Sequence, residues 1–509
     1  MPFDDDGFVG LLNERALRDP DGTYARFNGE PVSYGALDRQ ASTFAAYLRA
    51  SGIAPGERVA VMMRNSIAAI ACVFGLAKAG VAWVPVNAQQ RGEGLRYLLS
   101  RSGPRLVIVD DDLAALVVEA LPSNDAPRLL IHGRGDGLDA ILAETAAFDQ
   151  PPPAPDAVFA IMYTSGTTGR PKGVIVSHRM LRLAAEGVGL VSAAQAGEVL
   201  FVWEPLYHIG GAQLLPLPMI RDVTLAMVER FSASRFWAQV KAEGASHIHY
   251  LGGILQILLK QPPGPLDRDH GVRIAWGGGC PPDIWPQFQQ RFGVEIRECY
   301  GMTEASSITT CNDSGVVGSV GRCMPWFGVA LLGPDGHPVS NGERGEIVVE
   351  TTLPGALFPG YLDNPEATAK ALRNGRLHTG DLGSFDADGN LYFHGRMTDS
   401  VRCRGENVSA WEVEHVAAEH EAVEDCAMIG VAADIGEQDI KLFVKPREGA
   451  RLDPATLSAW LGRRLAPYQN PRYIALVDEF ERTASQRIMK HKLSPRLDDC
   501  WDRAALVER

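Results

Sequence analysis

No apolar run in the chain reaches the roughly 18 residues that a membrane-spanning helix needs, so no span is expected. Cysteine is sparse: eight residues, none in a C-x-x-C pair or in metal-ligand spacing. That favours reduced thiols in a cytoplasm over a disulfide framework or a zinc site. Positive charge is in deficit, with 49 Lys and Arg against 62 Asp and Glu and a formal net charge of -13. That argues against a general binder of nucleic acid or of anionic membranes, but not against a local basic pocket. The opening residues, Met1-Pro-Phe-Asp-Asp-Asp-Gly7, are acidic where a signal peptide is basic. There is no fixed-period repeat and no low-complexity tract.

What is present is ordinary globular composition, 46% hydrophobic and 22% charged, in 509 residues. Such a length exceeds one hydrophobic core and predicts about two to four structural units. Ser33 reads as the N-cap of a helix whose buried face is Leu37, Ala41, Phe44, Ala45 and Leu48, stopped by Gly52. Strand candidates at 58–63, 80–85 and 106–109 alternate with an Ala-rich helix at 66–79. This alternation predicts an α/β sheet with parallel pairing. Further strands are expected at 224–228 and 274–276, and helices at 232–242 and 282–292. From about residue 316 short strands punctuated by Pro-Asp-Gly and Ala-Asp-Gly predict a small β-rich unit. Helices at 410–420 and 454–464 then belong to a compact α+β tail of about 110 residues. The fold class expected is therefore α/β: a large N-terminal domain over 1–397, made of two α/β subdomains and the β-rich unit, and a C-terminal domain over 398–509. The Pro151-Pro-Pro-Ala-Pro155 run reads as a short stiff connector.

Among the loops one is rich in chemistry. Tyr163-Thr-Ser-Gly-Thr-Thr-Gly-Arg-Pro-Lys-Gly173 follows the apolar run 157–162 and reads as the loop of a strand–loop–helix unit. Its glycines let backbone approach a ligand closely. Its hydroxyls, its N–H groups and Lys172 suit phosphate oxygens. The spacing is not that of Walker A.

Together with four further stretches, the loop resembles the AMP-forming acyl-CoA synthetase superfamily from about residue 10 to residue 495. The look is nearest the carnitine/crotonobetaine–CoA ligase-like branch, judged on Tyr250-Leu-Gly-Gly-Ile-Leu-Gln-Ile-Leu-Leu-Lys260 and Pro467-Tyr-Gln-Asn-Pro-Arg-Tyr473. The resemblance implies a phosphate grip from Thr164, Ser165, Gly166, Thr167, Thr168, Gly169 and Lys172. In Gly277-Gly-Gly-Cys-Pro281 and Glu298-Cys-Tyr-Gly-Met-Thr-Glu304 it implies an adenine floor of Gly278, Gly279 and Cys280. Tyr300 stacks on the base and Gly301 follows it. Thr303 sits by the α-phosphate, and Glu304 with Thr164 holds Mg²⁺, a cation that wants carboxylate oxygen and phosphates. From Leu377-His-Thr-Gly-Asp-Leu-Gly383 it takes Asp381 as the ribose grip, with Arg396 as a second ribose or phosphate contact. Asp399 falls at the family's hinge to a mobile lid. Arg402, Gly405 and Glu406 fall where the lid meets coenzyme A. In Glu204-Pro-Leu-Tyr-His-Ile-Gly-Gly211, His208 matches a residue of the tunnel between acid site and CoA entry, in a steric or gating role.

One departure bears on catalysis. The family's lysine pattern near the C-terminus reads here Arg482-Thr-Ala-Ser-Gln-Arg-Ile-Met-Lys490, so Arg487 stands at the lysine position. Arg keeps the charge but is planar and longer. Arg487 does the work directly, or Lys490 or Lys492 substitutes, or adenylation is weak; the first is the reading adopted. Gln469 also stands where the family often has lysine.

The activity implied is an ATP-dependent acid–CoA ligase with ATP, Mg²⁺ and CoA as cofactors or co-substrates, cytoplasmic, monomeric or homodimeric, without nucleic-acid partners. A stand-alone activator passing its acid, or an oxyanion such as nitrite, to an amine is the alternative; a degenerate nucleotide-binding protein is another. Pocket walls are expected from 203–213, 249–254, Trp276 and 306–309, whose mixed residue types suit a small or medium carboxylic acid.

Overall fold

The structure is a computed structural model that describes residues 7–122, 126–164, 171–397, 400–403, 406–433, 438–465, 467, 469–482 and 488–504. The chain divides into two compact units: Met1–Val329 with Val349–Leu377, and Ala330–Val348 with His378–Arg509.

Two sheets build the large unit. One is six-stranded, in the order Arg128–His132, Leu106–Asp110, Arg58–Met62, Ala82–Pro85, Val158–Thr164, Lys172–Ser177. Its central strands pair in parallel and read as continuous apolar runs because helices cover both faces. Helix Ile67–Ala79 is apolar all round and nearly all buried. Ser66 caps it by accepting from Ala69 N–H at 3.1 Å, and Gly80 closes it at φ +65°. Its one cation, Lys78, is buried but donates to Asp38 Oδ1 and Asn13 Oδ1, each at 2.6 Å. Helix Tyr34–Ala50 buries the predicted face, and Ser33 Oγ accepts from Ala36 N–H at 3.2 Å.

The second sheet has nine strands, with Glu295–Tyr300, Ile274–Gly278, His247–Leu251 and Val199–Val202 adjacent at its centre. These four are parallel, so their carboxyl ends open on one edge. Open α/β sheets bind ligands there.

One local expectation fails. Val158–Thr164 leads not into a helix but into an antiparallel strand, Lys172–Ser177, and only then into helix His178–Ser192. The chemistry-rich loop therefore caps a hairpin. The alternating Lys172-Gly-Val-Ile-Val-Ser177 completes that ladder, and Ser177 Oγ caps the helix through Met180 N–H at 3.1 Å.

In the C-terminal unit, Arg376–Phe385 and Leu391–Arg396 pair antiparallel. A hairpin joins Ser400–Cys403 to Glu406–Ser409. A four-stranded sheet, Val423–Ala432, Gln438–Pro446, Tyr473–Leu476 and Trp501–Asp502, packs with helices Ala410–Ala418 and Pro454–Leu461. Among the described residues no helix is long and apolar enough to cross a membrane.

Candidate active site

Strand Glu295–Tyr300 alternates in burial, with Ile296, Glu298 and Tyr300 inward. A carboxylate on that apolar face needs donors. Glu298 finds them in Gly279 N–H, in Cys280 N–H at 3.1 and 3.2 Å to its two oxygens, and in Tyr250 Oη. Burial pushes its carboxyl up to about 7, opposed by those donors. The result is a pinned turn at Gly278, Gly279 and Cys280. Glycine is required at 277, where a Cβ would lie 1.9 Å from Tyr250 O. Tyr300, buried, ends the strand, and Gly301 follows where a Cβ would meet Ser307 O at 1.7 Å.

Beyond Gly301 the chain is held in strained geometry. Ser306 and Ser307 lie in the left-handed region at φ 48° and 69°, worth about 1–3 kcal/mol each unless supported. Support comes from Ser306 Oγ donating to Ala356 O and Ser307 Oγ donating to Gln213 Oε1, both at 2.6 Å. Just before them, Thr303 and Glu304 are buried in a short 3₁₀ turn. Glu304 Oε1 accepts from Tyr361 Oη at 2.8 Å, and its carbonyl accepts from Phe358 N–H at 2.9 Å.

Tyr361 connects this acid to the strand Lys172–Ser177. Residues 360–362 lie along strand Lys172–Ser177: Leu362 N–H donates to Gly173 O at 2.8 Å and Ile175 N–H to Gly360 O at 3.1 Å. Lys172 Nζ lies 5.0 Å from the centroid of the Tyr361 ring. Thr164 is the cross-strand partner of Lys172. Thr164, Lys172, Tyr361 and Glu304 thus form one contiguous group in the large unit.

His208 precedes the short helix Ile209–Ala212; its carbonyl accepts from Gly211 and Ala212 N–H, and its ring tilts on Tyr207 at 4.7 Å. That helix leads to Gln213, hence to Ser307. In the C-terminal unit, Asp381 and Arg396 face each other across the ladder, with Nε 3.4 Å from Oδ1. Lys490 pairs with Glu414 at 2.7 Å, and Lys492 pairs with Glu481. Ser165, Gly166, Thr167, Thr168, Gly169, Asp399, Gly405 and Arg487 lie outside the described residues, and Arg402 and Glu406 are described by backbone only, in the hairpin.

The sequence reading missed Tyr361, Tyr250 and the structural role of Glu298. Glu298 had a signal: an acid in step with Ile296 and Tyr300 on a strand's apolar face. Tyr361 had none, because only the fold sets it beside Glu304.

The model of the AMP-binding enzyme family matches residues 12–362, and that of the AMP-binding enzyme C-terminal domain matches 412–487. The chain is 33% identical to a sulfoacetate–CoA ligase of Cupriavidus necator, covering 96% of this chain and 97% of that protein. It is 30% identical to a crotonobetaine/carnitine–CoA ligase of Salmonella paratyphi A, covering 91% and 92%. The structure of a benzoate CoA ligase from Burkholderia xenovorans superposes with a TM-score of 0.86 at 26% identity, covering 96% of this chain and 99% of that one.

Proposed function

Because the chain belongs to the AMP-binding enzyme family, as an AMP-forming acid–CoA ligase, we propose that it activates a small or medium carboxylic acid in two steps. A carboxylate oxygen attacks the α-phosphorus of ATP, giving acyl-AMP and pyrophosphate. The CoA thiolate then displaces AMP to give acyl-CoA. The observation that carries the reading is the contiguous group Thr164, Lys172, Tyr361 and Glu304 beside the Glu298-pinned turn.

Each residue has a task in this proposal. Tyr300 and residues 278–280 hold the adenine, Asp381 and Arg396 the ribose, Lys172 and residues 164–169 the β- and γ-phosphates. Thr303 borders the α-phosphate. Glu304 presents a buried carboxylate oriented by Tyr361, a hard oxygen donor suited to Mg²⁺. With Thr164 it would hold that ion, which supplies charge neutralisation at the phosphates. Arg487 stabilises charge developing in the first step. Between steps the C-terminal domain, 398–509, turns about Asp399 and brings Arg402, Gly405 and Glu406 to CoA, while His208 lines the passage to the acid. The enzyme works in the cytoplasm as a monomer or homodimer.

A pyrophosphate-release screen over a panel of acids, with and without CoA, tests this. Acid-dependent release coupled to acyl-CoA formation is expected. Release that feeds an amine and never CoA would replace the reading with that of a stand-alone activator.

A further inference from the structure

We propose that Glu204 and His249 select an acid that carries a hydroxyl group; this rests on the ligase reading above. Val199–Val202 and His247–Leu251 are neighbouring parallel strands, and Glu204 stands two residues past the end of the first. His249 is in register with Trp276, and their rings lie 4.1 Å apart between centroids. The next rung pairs Tyr250 with Gly277, the start of the proposed adenine floor. Glu204 therefore lies just past the carboxyl end of its strand, the end where such sheets bind ligands, and His249 lies one rung from the proposed adenine floor.

Glu204 is 1% exposed, and its Oε2 is buried without a hydrogen-bond partner. A buried polar oxygen without a partner is costly and calls for an explanation. Nothing about its position is loose. Asn65 Nδ2 donates to Glu204 O at 2.8 Å, Asn65 Oδ1 accepts from Leu206 N–H at 3.0 Å, and Trp203 Nε1 donates to His249 O at 3.0 Å. The Glu204 carboxylate meets Nδ1 of His249. That contact fixes the ring so that Nε2 is its remaining polar atom, and Nε2 has no hydrogen-bond partner among the described residues. Gly210 borders the ring: a Cβ there would lie 3.9 Å from His249 Cε1 and 3.7 Å from Leu251 Cδ1.

A hydroxyl is the group that matches Nε2 in either protonation state. It donates to the neutral ring and accepts from the charged one. A hydrogen or methyl in its place leaves Nε2 dry and unsatisfied. Trp276 flanks the ring, and the Trp203 indole is tied to the backbone of the same strand.

The test compares matched acids in pyrophosphate release: 4-hydroxybenzoate with benzoate, 4-hydroxycinnamate with cinnamate, 3-hydroxybutyrate with butyrate. In the wild type, the hydroxylated member of at least one pair is expected to lead in kcat/KM by roughly 10- to 100-fold. His249→Leu should bring that ratio to about one. Glu204→Gln keeps an oxygen for Nδ1–H but loses the charge, and should cut the ratio by about threefold or more. Because each ratio is internal to one preparation, a partly misfolded variant still gives it. Equal use of both members by the wild type, or an unchanged ratio in both variants, would overturn the proposal. No release from any acid, with or without CoA, sinks the ligase reading as well; brisk but indiscriminate release sinks this proposal alone.

Discussion

In the large unit the acids of the site are buried and each is held by donors from other elements. Glu298 takes two backbone N–H groups and a tyrosine, and Glu304 takes Tyr361 from a segment 57 residues on. In the C-terminal unit two lysines are held by single carboxylates instead: Lys490 by Glu414 at side-chain exposures of 25% and 21%, and Lys492 by Glu481 at 45% and 65%. Exposed ion pairs of this kind are worth at most about 1 kcal/mol, whereas buried, multiply hydrogen-bonded acids are costly to disturb. The contrast separates two kinds of work. In the proposed function the fixed acids would preorganise the nucleotide site, while cations would answer charge that appears only during reaction.

The sharpest way to break that contrast is at Arg487. Arg487→Ala should lower adenylation by roughly 10²- to 10³-fold in kcat with little change in the KM for ATP, measured by single-turnover acyl-AMP formation. Arg487→Lys should keep most of the rate. If Arg487→Ala adenylates at the wild-type rate, the charge is supplied elsewhere.

In the large unit the corresponding break is Tyr361→Phe. Losing a hydrogen bond to a charged group costs about 1.5–3 kcal/mol. A fall of roughly 10- to 100-fold in kcat/KM for ATP is expected, with the melting temperature shifted by only a few degrees. An unchanged ATP dependence would remove Glu304 from the phosphate site.

Glu298 gives a pH signature. Its carboxyl titrates near 7 folded against an ordinary value of 4.5. Between these values the native state keeps a proton that the unfolded chain has lost. Stability therefore falls as pH rises through that window, by an amount on the order of 3 kcal/mol. Thermal melts of Glu298→Gln should show a flatter slope from pH 4.5 to 7 than the wild type; parallel slopes would assign the effect to other groups. The smallest effect belongs to Lys490→Ala. Its part-exposed pair with Glu414 predicts a stability change of about 1 kcal/mol and an adenylation rate near wild type. A tenfold loss of rate would instead move the role from Arg487 to Lys490.

Periodicity made the frame legible: the Ser33-capped helix, the strands around 60, 84 and 108, and the C-terminal helices all lie where local pattern set them. The hairpin at 158–177 was misread because a glycine- and hydroxyl-rich loop after a buried strand looks alike whether a helix or a returning strand follows. Motif spacing singled out Tyr300, Glu304 and Asp381, and the structure buries all three. What escaped was the material that positions them. Tyr361 carries no local signature, and its place depends on residues 360–362 pairing with a strand nearly 190 residues earlier. Glu204 and His249 fall in or beside the stretches expected as pocket wall, but their contact exists only because their strands are neighbours.

That adjacency has a consequence for anyone altering what the enzyme accepts. The row His249–Trp276 and the row Tyr250–Gly277–Glu298 are consecutive rungs of one parallel ladder. Moving the register by one residue turns every side chain to the opposite face. Libraries seeking new acids should therefore vary side chains at 204, 249 and 276 and keep the chain length of these strands fixed. An insertion there would take Tyr250, Gly277 and Glu298 out of the rung that pins the turn at 278–280.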